Sequence, residues 1–401
     1  MMHQLPDFQK ELDSILNYWT TYTPDAEHGG FYGKIDQENK VYPDAPKGAV
    51  LNARILWSFS AAYGQNPKSS YLGMAKLAYN YICDHFIDKT HGGVYWTVDY
   101  LGKPLDTKKQ VYALAFTIYG LTEYYRASGD KTALALSIKL FDTIEKYSFD
   151  PKKGGYLEAF AQDWQELPDL RLSDKDANEK KTMNTHLHIL EAYTNLYRVW
   201  KDENLEKQIR GLINNFTDHM IDEKTNRLIL FFDENWEPKS TIISYGHDIE
   251  ASWLLLESAK VLDDQKLVTQ LSKIALAMAR AAVDGLDQDG SMYYEYEPEH
   301  HYLRKERHWW VQAEALVGFL NAWEISGEKL FMDHFENVWK YIQQKIKSDK
   351  GEWVWGINDD GTPMAGEDKA GLWKCPYHNS RAMVEVIHRF KENHLGLGMF
   401  I

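Results

Sequence analysis

Three histidines, His188, His247 and His378, stand near the starts of apolar helical segments, where proton-transfer chemistry can be assembled. Asn184 and His188 are four apart and share one helix face, with Glu191 on the same stripe. His186, two positions from His188, must point to roughly the opposite side and takes a structural role. His247 and Glu250 are three apart and also share a face, so this carboxylate is expected to orient the imidazole or raise its basicity. Arg54, Tyr112, Trp309, Trp310, Glu314 and Arg381 fall at comparable positions in the other apolar helices, with Trp373 nearby. Each histidine alone reads as a hydrogen-bonded helix-start residue, but three at equivalent positions of a repeat read as a site. Neutral imidazoles accept protons, while an arginine and several helix N-termini favour an anionic intermediate; this is the equipment of general acid–base catalysis. The flat faces of Trp309, Trp310 and Trp373 suit stacking on sugar rings.

Other chemistries lack their motifs. The sequence contains no HExxH spacing, no GxGxxG and no Walker loop, so neither a metal nor a nucleotide cofactor is expected. The pair His300-His301, after Glu295-Tyr296-Glu297, reads as a solvated rim. Forty-five Lys and Arg against 59 Asp and Glu give a net charge of −14, which repels nucleic acid and anionic membrane surfaces. The first residues, MMHQLPDFQKELDS, have no apolar signal core, and the stretch from Ala113 to Leu121 is far below spanning length. A soluble, cytoplasmic protein is expected, a monomer or weak homodimer whose partner is a small saccharide. Two cysteines, Cys83 and Cys375, make no disulfide framework and are expected to be buried free thiols.

The elements that must carry these residues follow from a repeat. A Gly-plus-aromatic motif begins at positions 29, 92, 154, 226, 290 and 351, the fourth copy, Asn226 to Phe232, being degenerate. Each copy reads as a short hairpin or strand whose glycine supplies a positive φ. Two helical segments fit each interval: 6–21 and 48–63, 69–86 and 108–127, 131–147 and 180–200, 203–220 and 246–261, 264–282 and 305–325, 329–347 and 370–392. The first of each pair is amphipathic and the second apolar, so six outer and six inner helices are expected to close into an all-α (α/α)6 barrel, one domain spanning 1–401. The inner helices then run parallel and bring their N-termini, with the polar residues above, to one mouth. The polar insertion Glu166 to Lys181 is expected as a rim loop or lid.

Six blocks carry a resemblance over essentially the whole chain: GGFYGKID at 29–36, KGAVLNARILWSFSAAY at 47–63, MNTHLHILEAYTNLYRVW at 183–200, SYGHDIEASWLL at 244–255, HWWVQAEALVGF at 308–319 and LWKCPYHNSRAM at 372–383. With these the chain resembles the N-acylglucosamine 2-epimerase superfamily and, within it, the cellobiose 2-epimerases. The resemblance implies a cofactor-independent (α/α)6 barrel that epimerises a reducing-end sugar at C2. It places the acid/base pair on His247 and His378, a third active-site histidine on His188 and the active-site arginine on Arg54. Asn184 precedes the third histidine, Glu250 is the carboxylate beside the first base, and Trp310 and Trp373 shape the sugar subsites. Relatives acting on N-acetylglucosamine or free mannose share the barrel. From another class, an (α/α)6 glycoside hydrolase would use two carboxylates, for which Asp248, Glu250 and Glu314 are available; a non-catalytic sugar-binding barrel would need the tryptophans alone.

Overall fold

Every residue from Ala49 to Ala62 is buried, on all sides of one helix. Such a helix needs neighbours all round it, whereas a helix such as Glu203–Asn215, which buries only Leu205, Gln208, Ile209, Leu212 and Ile213, needs them on one face. In the computed structural model, which describes residues 4–394, these two kinds alternate. The amphipathic helices α1 (Leu5–Tyr22), α3 (Ser69–Tyr81), α5 (Lys131–Tyr147), α7 (Glu203–Asn215), α9 (Gln265–Ala282) and α11 (Lys329–Tyr341) form an outer ring. The apolar helices α2 (Ala49–Gln65), α4 (Val111–Ser128), α6 (Met183–Val199), α8 (Tyr245–Leu262), α10 (Trp309–Ser326) and α12 (Tyr377–His394) form the inner one. Each inner helix packs on the next, and α12 packs back on α2, so the ring closes. This is the expected (α/α)6 barrel. Where inner helices touch, there is no room for a side chain: a Cβ on Gly120 of α4 would meet the Ala53 carbonyl oxygen of α2 at 2.6 Å.

Outer helices α5, α7 and α9 are started by Asp130, Asp202 and Asp264, whose carboxylates accept from amides of the first turn. Inner helices start differently. The two or three residues before each are extended and pair antiparallel with a strand from the following repeat: Lys47–Gly48 with Thr97–Val98, Lys109–Gln110 with Ala159–Phe160, Lys181–Thr182 with Phe231–Phe232, Ile243–Ser244 with Glu295–Glu297, and Arg307–His308 with Gly356–Ile357. Asp368–Ala370 closes the series onto Ile35–Asp36 of the first repeat. The expected inner-helix starts at 108, 180, 305 and 370 therefore lie too early, because residues there are held by strand pairing before the helix begins.

The Gly-aromatic motifs are the turns that the repeat predicts. Gly29, Gly30, Gly92, Gly93, Gly154 and Gly155 all have positive φ, and in the degenerate copy Asn226 adopts φ 56. A buried cation underlies several of them. Lys47 donates to Asp25 at 2.7 Å, Lys109 to Asp88 at 2.7 Å and Lys181 to Asp150 at 3.0 Å, while Arg307 serves Asp287 at 2.6 Å. In the fourth repeat Arg227 turns instead to Asp248, at 3.0 Å. The first four of these pairs fasten a turn to the strand that launches an inner helix, and the Arg227 pair fastens its turn to the first turn of α8 itself.

The insertion folds against that same end of the barrel. Leu170 is buried, and Gln110, immediately before α4, donates to the Leu170 and Arg171 carbonyls at 3.0 and 2.9 Å. Among the described residues no helix is long and apolar enough to cross a membrane. Cys375 is buried as expected, whereas Cys83 is only half-buried.

Candidate active site

The first two turns of all six inner helices contribute side chains to one cluster. Arg54 of α2 donates to the Tyr112 hydroxyl at 2.7 Å and lies over the Phe116 ring, 4.1 Å from its centroid. Tyr112, on α4, meets His188 edge-on at 5.1 Å and Trp373 at 6.1 Å. Asn184, a turn before His188 on α6, has a buried Oδ1 without a hydrogen-bond partner. His186 points outward as expected, with Nδ1 at the Thr182 carbonyl (2.7 Å) and Nε2 accepting from the Tyr156 amide (2.9 Å).

Each of the three remaining histidines has Nδ1 committed. His188 Nδ1 lies 2.9 Å from Glu191 Oε2, His378 Nδ1 lies 2.7 Å from Glu314 Oε1, and His247 Nδ1 lies 2.8 Å from the Ser244 hydroxyl. The expected partnership of Glu250 with His247 is not formed. Glu250 is claimed from across the barrel by Arg381 Nη2 at 2.6 Å, and Ser244 takes its place at the histidine. Ser244 occupies the N-cap position of α8 but caps no amide, since its hydroxyl is turned to His247. His247 and His378 both contact the Trp310 ring, at 4.8 and 5.7 Å between centroids. Trp310 in turn meets Tyr294, which stacks on His308 at 4.0 Å. Trp309, one residue earlier and so about 100° around the helix, packs on Trp355 and under Lys374, away from the histidines. Trp373 sits at the rim between Tyr112 and Trp96. His300 and His301 are exposed, in keeping with a solvated rim.

Charge within the cluster is arranged around buried carboxylates. Burial would raise Glu191, but the Arg381 guanidinium and His188 bring it down to about 2. Burial and the neighbouring Glu314 push Glu250 up to about 7, and Glu314 is raised mainly by burial. Burial, with a contribution from His188, lowers His247 to about 3; His378 is driven well below the usual histidine range by burial, Arg54 and Arg381. Both imidazoles are therefore neutral and able to accept protons, with desolvation rather than the helix N-termini as the leading cause. Glu250, Glu314 and His378 each offer an atom within 4.8 Å of the others, a spacing suited to a cation. The cation between the two carboxylates is the guanidinium of Arg381, whose Nη2 donates to both at 2.6 Å.

Residues 30–382 match the N-acylglucosamine 2-epimerase family. The chain belongs to that family. It is 50% identical to a cellobiose 2-epimerase of Bacteroides fragilis over 95% of this chain and 98% of the relative, and 40% identical to a cellobiose 2-epimerase of Ruminococcus albus over 96% and 98%. The structure of cellobiose 2-epimerase from Bacillus thermoamylovorans superposes with a TM-score of 0.92 at 41% identity, covering 97% of this chain and 100% of that one. Within the epimerase family the chain thus groups with the cellobiose 2-epimerases, and it is a carbohydrate epimerase, an enzyme of the isomerase class. Sequence reasoning singled out the histidines, Arg54 and Glu314, but gave Ser244 and Tyr294 no role. A serine three residues before a site histidine was the available signal for the first, masked by the ordinary capping role of serine at that position.

Proposed function

We propose that this enzyme epimerises the reducing-end glucose of β-1,4-linked disaccharides such as cellobiose and lactose at C2, giving the mannose-ended product. The observation carrying this reading is the pair His247 and His378, both against the Trp310 ring and each with Nδ1 occupied, which leaves Nε2 of each for the substrate. After the hemiacetal opens, the C2 proton is α to an aldehyde. One Nε2 removes it, the electrons of the C–H bond move into a cis-enediolate, and Arg54 holds the negative oxygen. The other imidazole then delivers a proton to the opposite face of C2, and the two exchange roles in the reverse direction. A proton held jointly by Glu314 and His378 supplies the acid form: the carboxyl is pushed up and the imidazole down, so the proton passes to Nδ1 as Nε2 gives its own to carbon. His188, aligned by Glu191, assists ring opening.

Trp373, at the rim and apart from the two bases, supports a second sugar ring beyond the reacting one. The hydrolase reading lacks its carboxylate pair, because Glu250 and Glu314 are both bound to Arg381 and Asp248 to Arg227 rather than set across a glycosidic bond. The test is a product assay on cellobiose, lactose, N-acetylglucosamine and mannose. Glucosyl-mannose from cellobiose is expected; release of monosaccharides, or turnover of N-acetylglucosamine alone, would contradict the proposal.

A further inference from the structure

The carboxylates behind the histidines converge on one side chain. Arg381, one turn after His378 on α12, is buried, and its guanidinium lies between the rings of Tyr377 and Trp253, 4.3 and 4.8 Å from their centroids. Nη1 donates to Glu191 and also meets the Tyr377 hydroxyl, which itself donates to Glu191. Nη2 donates to Glu250 and Glu314, at 2.6 Å each. Glu191 is the partner of His188 and Glu314 the partner of His378, so the fork of one guanidinium sets the positions of two histidines on different helices. No ammonium has the donors and planar geometry to hold three carboxylates in this way.

We infer that Arg381 is a positioning residue for the epimerisation, a clamp that fixes the carboxylates of Glu191, Glu250 and Glu314 and through them aims His188 and His378 at the sugar. This rests on the epimerase reading above. Arg381 is buried and its polar partners are other side chains, so its work is done through them. It also sets the charge the histidines feel. Three carboxylates face a single guanidinium, while the other cation directed at His378 is Arg54 on α2. From α4 the cluster is faced by the phenols of Tyr112 and Tyr119, from α8 by His247 and Glu250, and from the segment before α12 by the Cys375 thiol. Removing the positive charge of Arg381 therefore makes proton uptake by His378 and by the carboxylates easier, and His378 is protonated at a higher pH.

The experiment compares wild type, R381M and R381K on cellobiose across pH, with thermal unfolding as a fold control. In R381M, kcat is expected to fall by about 10²-fold, the loss typical of misplaced catalytic groups, with KM within about three-fold of wild type. The acidic limb of its kcat profile should move up by about one pH unit or more. R381K, which keeps the charge but not the fork, should return the limb close to wild type while recovering only part of kcat. A folded R381M with the wild-type kcat and acidic limb, or a loss confined to KM, would overturn the clamp. If R381M does not fold, R381K decides: a reduced kcat at unchanged KM supports the clamp and an unaltered kcat overturns it. A wild-type enzyme inactive on every sugar would instead refute the epimerase reading on which the clamp depends.

Discussion

At the scale of single residues, the proposed proton transfer is divided between two histidines with unlike support. His378 is backed by the carboxylate of Glu314, while His247 is backed by the Ser244 hydroxyl, which can donate or accept and so serves either tautomer. If each turnover uses both, as proposed, His247→Asn and His378→Asn should each lower kcat by about 10²–10⁴-fold, the usual worth of a general acid–base residue. Their partial reactions should differ: one variant should still exchange the C2 hydrogen of the glucose-ended sugar and the other that of the mannose-ended epimer, read by NMR in D2O. Near-wild-type turnover by either variant would remove that histidine from the mechanism. The positions of these histidines were legible because helical spacing fixes which residues share a face. Their partners were not. Spacing puts Glu250 within reach of His247, but only the closed ring brings Arg381 across to take it, and only the rotation of α10 decides that Trp310 rather than Trp309 meets the imidazoles.

Among elements, the informative features are the junctions between repeats. Twelve helices and the division into inner and outer kinds follow from how far apolar character extends around each helix, and this is visible in residues such as Ala49 to Ala62. The strand pairs that precede the inner helices escaped the periodicity because two residues show no period. Their signature lay elsewhere, in Lys47, Lys109 and Lys181, each two residues ahead of an inner helix, and in Asp25, Asp88 and Asp150, each four residues before a repeat glycine. Lys109 and Asp88 are both fully buried and 2.7 Å apart. Lys109→Met leaves that carboxylate without its cation, and should destabilise the fold by about 3–5 kcal/mol in urea unfolding, the cost of breaking a buried pair from one side. The double variant Lys109→Met/Asp88→Asn should recover part of the loss. A single variant within about 1 kcal/mol of wild type would show that the pair does not hold the junction.

For the whole molecule, closure is what makes the site. Asp368–Ala370 pairs with Ile35–Asp36 and α12 packs on α2, so Cys375 and Tyr377, late in the chain, meet Arg54, near its start. The insertion after Glu166 reaches across the same mouth: Asp176 lies close enough to Glu295 to raise its carboxyl further, after burial and Glu297. At the opposite end the ring opens on a cavity of about 800 Å³ whose lining includes Glu191 and Trp253, so of the clamped carboxylates Glu191 lies between the two ends. Burial deep in such a ring keeps His247 and His378 neutral, as the proposed removal of a carbon-bound proton requires. In the proposed mechanism this proton leaves C2 on one base and a different one arrives from the other. Epimerisation of cellobiose in D2O, followed by NMR of the isolated product, should give deuterium at C2 of the new mannose residue; a product that keeps its original hydrogen there would rule the two-base mechanism out.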